Sequence, residues 1–319
     1  MKNKLLISLL SIVLFSFVIK RDGITDKNYI VHNTKLNKAA TFQDIITEMK
    51  NYDVVFFGEE HNDSVGHFLE AELFKKMFEA YGSKTVLTME MFETDCQTVL
   101  NEYLAGFIRE RNFTKEGRAW SNYRDYKPMI EFAKKNKLKV IGGNAPARYA
   151  NMASRLGRNS LLDLSPAAKQ FLPPLPYDTA TGAYYKKFTD LMGDSRMAGV
   201  TATDSSKKAM AAMAAMMPKF IVHSQSLWDA TMAYSISKVF KETKDAKVVQ
   251  VNGRFHSDEG GGIVAQLKKY NPKLRILIVT CVNGGDNYPE KIDFKENEKL
   301  ADFVIYSDPK VPKTYKDGN

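Results

Sequence analysis

The chain has 319 residues, 44% of them apolar and 26% charged, and carries a formal net charge of +9. That apolar fraction excludes intrinsic disorder, and two cysteines, Cys96 and Cys281, are too few for a disulfide framework or a cysteine-based zinc site. The basic residues are spread along short helical faces, which suits an anionic small ligand or surface and argues against nucleic acid.

The chain opens MKNKLLISLLSIVLFSFVIKRDG, two lysines followed by an apolar run from Leu5 to Ile19. The run is shorter than the ~20 residues that span a bilayer and has the layout of a secretory signal. Residues 1–20 are therefore expected to be a signal peptide or an N-terminal anchor. With no cysteine beside the run, export is expected to the periplasm or cell envelope, not as a lipoprotein. Cys96 and Cys281 are expected to be buried free thiols.

A polar segment (22–38) precedes an alternation of strands and helices. Short runs rich in Val, Ile, Leu and Phe occupy 53–57, 85–92, 138–142, 247–252 and 274–281. They are apolar throughout, not alternately, which predicts strands buried on both faces of a parallel sheet. Between them, Val65, Phe68, Leu69, Leu73, Phe74, Met77 and Phe78 recur at helical spacing over 64–81, and Gly82 follows as a stop. Further helices are expected over 125–136, 226–240 and from Gly260-Gly261-Gly262 to about Tyr270. The pattern predicts an α/β fold, a mainly parallel sheet layered between helices.

Residues 160–222 break the rhythm with FLPPLPYD, TGAYYKKF and DSSKKAMAAMAAMMP. This stretch is expected to be a helical insertion lying over the sheet. Asp204 suits its last helix as an N-cap and Pro218 as a stop. Near the end of the chain, Phe303–Tyr306 is expected to add an edge strand.

Parallel sheets bind ligands at the carboxyl ends of their strands. Here the first strand runs into Gly58-Glu59-Glu60-His61, the second into Glu90-Met91-Phe92-Glu93, and the fourth into Asn252-Gly253-Arg254-Phe255-His256. Glu59 and His61 are two residues apart, so an extended backbone points both to one side. A carboxylate beside an imidazole fixes the tautomer and raises the basicity of the ring, which suits proton transfer or metal binding. Glu59, His61, Glu90 and His256 are the catalytic candidates. His61, His256 and Glu90 are also a candidate two-histidine, one-carboxylate metal set.

His67 lies on the margin of the first helical stripe, so an exposed or half-buried position is expected, with a ligand contact as the alternative. Gln225 and Asp229, one turn apart beside Trp228 and Met232, suit a pocket wall, with His223 just ahead of them. Met213 and Met217, with Met210, make a polarisable face that could cover a flat apolar ligand. Tyr177, Tyr184 and Tyr185 are candidate axial ligands if that ligand is a haem.

The ordered set GEEHND, LTMEMFETD, YKPMIEFAKKNKLKVIGGNAPARY, QSLWDATMA and VNGRFH resembles the ChaN-like family of haem-binding proteins. The superfamily around it includes Tiki metalloproteases and erythromycin-esterase-like enzymes. The likeness runs over roughly residues 42–285. It implies one α/β domain, 40–306, with a pocket at the strand ends and a tail from 307 to 319. The family's motifs fall on Gly58, Glu59 and His61, on Glu90, on Asn144, Pro146 and Arg148, on Gln225, Trp228 and Asp229, and on His256.

It further implies haem as cofactor, membrane-associated uptake proteins as partners, and a homodimer as one assembly open to it. Arg124 or Arg148 would meet the propionates. Between Met197 and His223, ahead of the Gln225 helix, the sequence offers only His223 and methionines as iron ligands. Two functions therefore stand: an exported haem-binding protein of haem or iron acquisition, and a metal-dependent or acid–base hydrolase.

Overall fold

The computed structural model describes residues 23–197 and 220–315. The expected signal, residues 1–20, and the methionine face with Met213 and Met217 lie outside the described residues. Eight strands, β1 (Tyr29–Asn33), β2 (Lys38–Ala40), β3 (Val54–Glu59), β4 (Thr85–Glu93), β5 (Lys139–Asn144), β6 (Lys247–Gly253), β7 (Ile276–Asn283) and β8 (Phe303–Ser307), make one sheet. Their order is β2-β1-β8-β7-β3-β6-β4-β5. Every pairing from β8 to β5 is parallel, while β1 runs antiparallel to both β8 and β2.

The helices around the sheet and its rim are α1 (Phe42–Glu48), α2 (Ser64–Tyr81), α3 (Gln97–Leu104), α4 (Glu110–Glu116), α5 (Tyr123–Asn136), α6 (Ala147–Leu156), α7 (Pro166–Lys169), α8 (Gly182–Met197), α9 (Ile221–Glu242) and α10 (Gly262–Tyr270). α2 starts where Asp63 accepts the Val65 amide at 2.9 Å and stops at Gly82, whose φ of 57° a side chain would resist. α1 opens on a reciprocal capping box between Thr41 and Asp44. The described part of 160–222 holds α7 and α8, helical as expected.

The unbroken apolar runs have a direct cause. Alternate β3 residues serve two different cores: Val55 and Phe57 pack with α2 and α5, whereas Val54 and Phe56 pack with α9 and α10. β4 divides in the same way, Leu87 and Met89 to the first core and Val86 to the second. A sheet covered on both faces has no polar side to alternate with. Cys96 and Cys281 are both free and buried.

Two expectations need correction. The polar segment 22–38 contains β1 and the start of β2, which are five and three residues long and too short for periodicity to register. Phe303–Tyr306 belongs to β8, which is not an edge, because β1 pairs along its outer side from Tyr29↔Ser307 to Asn33↔Phe303.

Chain order also sets where ligands can enter. From β3 the chain moves out to β4 and β5, returns to place β6 beside β3, and then adds β7 on the other flank of β3. The crossover reverses there, so the carboxyl ends of β3, β6 and β4 border one crevice.

Candidate functional site

The period of two along a strand determines which face each strand-end residue inherits. Glu59 continues the Val55–Phe57 face and points toward α2 and α5. Its Oε1 accepts from the Tyr126 hydroxyl at 2.7 Å and from His61 Nδ1 at 2.8 Å, and its Oε2 lies 3.1 Å from His67 Nδ1. His67 Nδ1 is also 2.9 Å from Glu70 Oε1, and His67 Nε2 meets the His61 carbonyl at 3.0 Å.

This cluster is dry. His67 is 1% exposed, so the expected half-buried position on the stripe margin is wrong: the imidazole turns inward because buried carboxylates are there to receive it. Burial opposes its charge, but the Glu70 charge and the hydrogen bond with Glu59 outweigh that and push it up to about 12. Burial would also raise Glu59, yet hydrogen bonds from His61 and His67 hold it well below the usual carboxylate range. Glu70 goes the other way, raised by burial and by the Glu59 charge beside it. The cluster therefore sets an ionised Glu59 against His67, with Glu70, the weaker acid of the two carboxyls, as the second partner of the ring.

A second cluster comes from the opposite face. Glu90 follows Val86 and Thr88 toward α9. Its Oε2 accepts the Gly253 amide at 2.7 Å and its Oε1 lies 3.5 Å from His256 Nε2. His256 Nδ1 donates to Asp229 Oδ1 at 2.6 Å, and Asp229 Oδ2 accepts from the Tyr184 hydroxyl at 2.9 Å. Gln225 Nε2 is 3.1 Å from both the Tyr184 hydroxyl and His256 Nδ1.

Burial works against a charged His256, but Glu90 and Asp229 overcome it and push the ring up to about 10. Glu90 is held below its ordinary value despite burial, chiefly by the His256 charge. Burial raises Asp229.

The clusters meet over Gly253. A Cβ there would lie 2.8 Å from His61 Nε2 and 3.6 Å from Glu90 Oε2, so the glycine is the notch in which the ring rests. His61 is 38% exposed by side chain, with Trp120 edge-on at 5.2 Å. Burial lowers the basicity of His61, and Glu59 and Glu90 together more than restore it. The ends of β3, β4 and β6 thus carry a buried acceptor, Glu90, paired with a buried donor, His256, and beside them the more exposed ring of His61.

Gly253→Ala is expected to displace His61 from the notch at a stability cost of only ~1 kcal/mol, because the ring is at the surface. Histidine titration by NMR would show the His61 signal moving while that of His67 stays.

Other candidates are elsewhere. Arg148 is ion-paired with Asp95, which Arg118 also holds, and its guanidinium lies over Tyr149 at 4.3 Å. It serves the β4–β5 rim, not the crevice. Arg124 reaches the Thr314 carbonyl. Trp228 packs between the α9–α10 core and the α6 layer. His223 accepts the Arg158 amide at 3.0 Å, and the Tyr177 hydroxyl donates to its carbonyl at 2.7 Å. Tyr185, the next residue on α8, is 45% exposed.

The His61, His256 and Glu90 donors are not drawn together as a closed metal set. Among the described residues, the groups of three whose donor atoms fall within 4.8 Å of one another are Glu59–His67–Glu70 and Glu93–Asp95–Cys96. Arginine already occupies Glu93 and Asp95. Tyr126, Glu70 and Trp120 are the participants that sequence reasoning missed. Glu70 carried a signal, being three residues after His67 on one helix.

A sequence model of the family described as haem-binding uptake, Tiki superfamily, ChaN matches residues 45–267. No curated protein matches the sequence. Among solved structures, the chain is similar to ChaN of Campylobacter jejuni, a structure described as showing cofacial haem binding, with a TM-score of 0.62 and 18% identity over 88% of this chain and 98% of that one. It also matches the erythromycin esterase EreC in its open conformation, with a TM-score of 0.45 and 11% identity over 88% of this chain and 83% of that one. The family match spans more than half of the chain, from ahead of β3 through His256 after β6 and into α10: the chain belongs to the haem-binding uptake family of ChaN, within the Tiki superfamily.

Proposed function

We propose that the chain is an exported haem-binding protein of haem or iron acquisition, working with membrane-associated uptake proteins. Family membership over residues 45–267 is the observation that carries this reading. The donor chemistry of the described residues narrows where iron would be held. Tyr184 donates its hydroxyl to Asp229, and burial with that charge pushes its pKa far up, so it resists becoming a tyrosinate. His223 accepts at Nδ1, which leaves the proton on Nε2, the wrong tautomer for ligating iron through that atom. Tyr185 fits: its phenol is exposed on α8, and phenolate is an established proximal ligand. Haem, when bound, supplies a redox-active iron, and the chain supplies the oxygen donor.

Haemin titration of the purified protein should shift the Soret band and saturate at a defined stoichiometry. Tyr185→Phe should weaken binding about tenfold or more. A spectrum matching that of free haemin would remove this reading.

A second reading, an acid–base or metal-dependent hydrolase, rests on a separate observation. Both His61 and His256 commit Nδ1 to a buried carboxylate, Glu59 and Asp229, which turns the His61 Nε2 toward Gly253 and the His256 Nε2 toward Glu90. Carboxylates behind imidazoles in this way orient general bases and metal ligands. Glu90 would take a proton from water and His256 would return one to the leaving group. Metal analysis of protein purified without added metal, with a screen of ester and peptide substrates, tests it. Should His61→Ala leave every detected activity intact, the hydrolase reading ends.

The His256 pairings make stability depend on pH. A histidine raised from 6.5 to about 10 contributes its full stabilisation below 6.5 and loses it as pH rises through 10. Urea midpoints are therefore expected to fall between pH 6.5 and 10, and His256→Gln should flatten that fall.

A further inference from the structure

A cavity of about 860 Å³ opens at the far edge of the sheet, bounded by α3, the end of α5, β5 and α9. It lies on the β5 edge, away from the crevice over Gly253, and neither haem binding nor hydrolysis at that crevice makes use of it. We propose that this cavity binds an anionic single-chain amphiphile, a carboxylate or similar head on a long aliphatic tail.

Its walls include Leu104, Val140, Ile141 and Val239, a surface for an aliphatic chain, and the volume is within the ordinary range for small-molecule sites. Its charge is one-sided: among the described residues Lys134, Lys137, Lys139 and Lys238 line it, against Glu242 as the one carboxylate. Glu242 is 3.7 Å from Lys139. Among the described residues no carboxylate is within ion-pair distance of Lys238, whose ammonium instead lies over the Tyr234 ring at 5.2 Å. That ammonium is partly stripped of water, which lowers its basicity, and an incoming anion would restore what burial removes. Lys134 lies over the Tyr103 ring at 3.8 Å, a second cation held by an aromatic face.

Two other occupants fit less well. An extended peptide would add to the β5 edge, but Gln97 already occupies it: its Nε2 donates to the Val140 carbonyl at 2.9 Å and its Oε1 accepts the Gly142 amide at 2.8 Å. A haem would find no histidine, tyrosine, cysteine or methionine among the described lining residues to ligate its iron. An aliphatic anion needs neither edge hydrogen bonds nor a metal ligand.

Isothermal titration with laurate, dodecanol and dodecyltrimethylammonium tests head-group charge at constant chain length. Laurate should bind saturably, one per chain, with dodecanol weaker and the cation not bound. Lys238→Glu should weaken laurate about tenfold by reversing a charge of the lining, and Leu104→Trp, which fills the cavity, should abolish it. Equal binding of dodecanol and laurate overturns the proposal, as does laurate affinity unchanged by both variants. Displacement of laurate by zinc protoporphyrin, one for one, makes the cavity a porphyrin seat and overturns it too. The head-group series runs on the unaltered protein, so it remains decisive even where a variant fails to fold.

Discussion

Replacing Glu59 with alanine is expected to cost ~3–5 kcal/mol of folding stability, the range for removing one partner of a buried ion pair. Among the described residues Glu59 is the common partner of His61, His67 and Tyr126 in the dry cluster between β3, α2 and α5. Without it the His67 charge has Glu70 as its near carboxyl, and burial makes Glu70 the weaker acid of the two. Glu70→Gln should therefore change stability by less than ~1 kcal/mol, since burial and the Glu59 charge already disfavour its ionised form and the amide keeps its shape. Urea unfolding of the two variants separates them. Equal costs would mean that the cluster is held by packing and hydrogen-bond count, not by charge. The dependence on acid has a defined sign. Glu59 is depressed from 4.5, so its contribution is complete above that pH and is lost as pH falls toward the folded-state value. The wild type should lose stability below about pH 4.5, and Glu59→Ala should lose less.

The strands and their faces were legible because each parallel strand has two cores to satisfy. Val54-Val55-Phe56-Phe57 has no polar position, and that is what a doubly covered strand requires. β1 and β2 were not, since a five-residue strand and a three-residue strand offer too few positions for any period. Strand-end acids and imidazoles stood out for their cost beside an apolar run. What they would meet depended on sheet order, and nothing local in the sequence says that β6 inserts between β3 and β4. His67 shows the limit most plainly. Its position on the helical stripe is marginal by periodicity, and only the arrival of Glu59 from β3 and Tyr126 from α5 makes a buried site for it. Arg148 shows the converse: the family motif suggested a ligand contact, while Asp95, off the end of β4, takes the guanidinium to another rim.

Gly262→Ala is expected to cost ~3 kcal/mol or more and to disorder the His256 cluster. This glycine begins α10 with φ +43°, a conformation in which a Cβ is strained whatever space surrounds it. Space is also lacking. The added carbon would be 2.3 Å from the His256 carbonyl, 2.8 Å from the Tyr184 hydroxyl and 2.9 Å from Asp229 Oδ1. The first contact is with backbone and cannot be relieved by a rotamer change, so either the 254–256 turn or the start of α10 must move. Each movement pulls apart the Tyr184–Asp229–His256 chain that holds the imidazole toward Glu90. The stability loss should therefore come with a fall in the His256 pKa from about 10 toward 6.5, read from its ring-proton shifts. By contrast, Gly82→Ala at the end of α2 has positive φ but nothing within 4 Å of the added carbon, so it carries the backbone strain alone. A Gly262 variant no worse than Gly82→Ala in urea, with His256 still titrating near 10, would show that the turn carrying His256 moves freely and that α10 does not hold the imidazole in place.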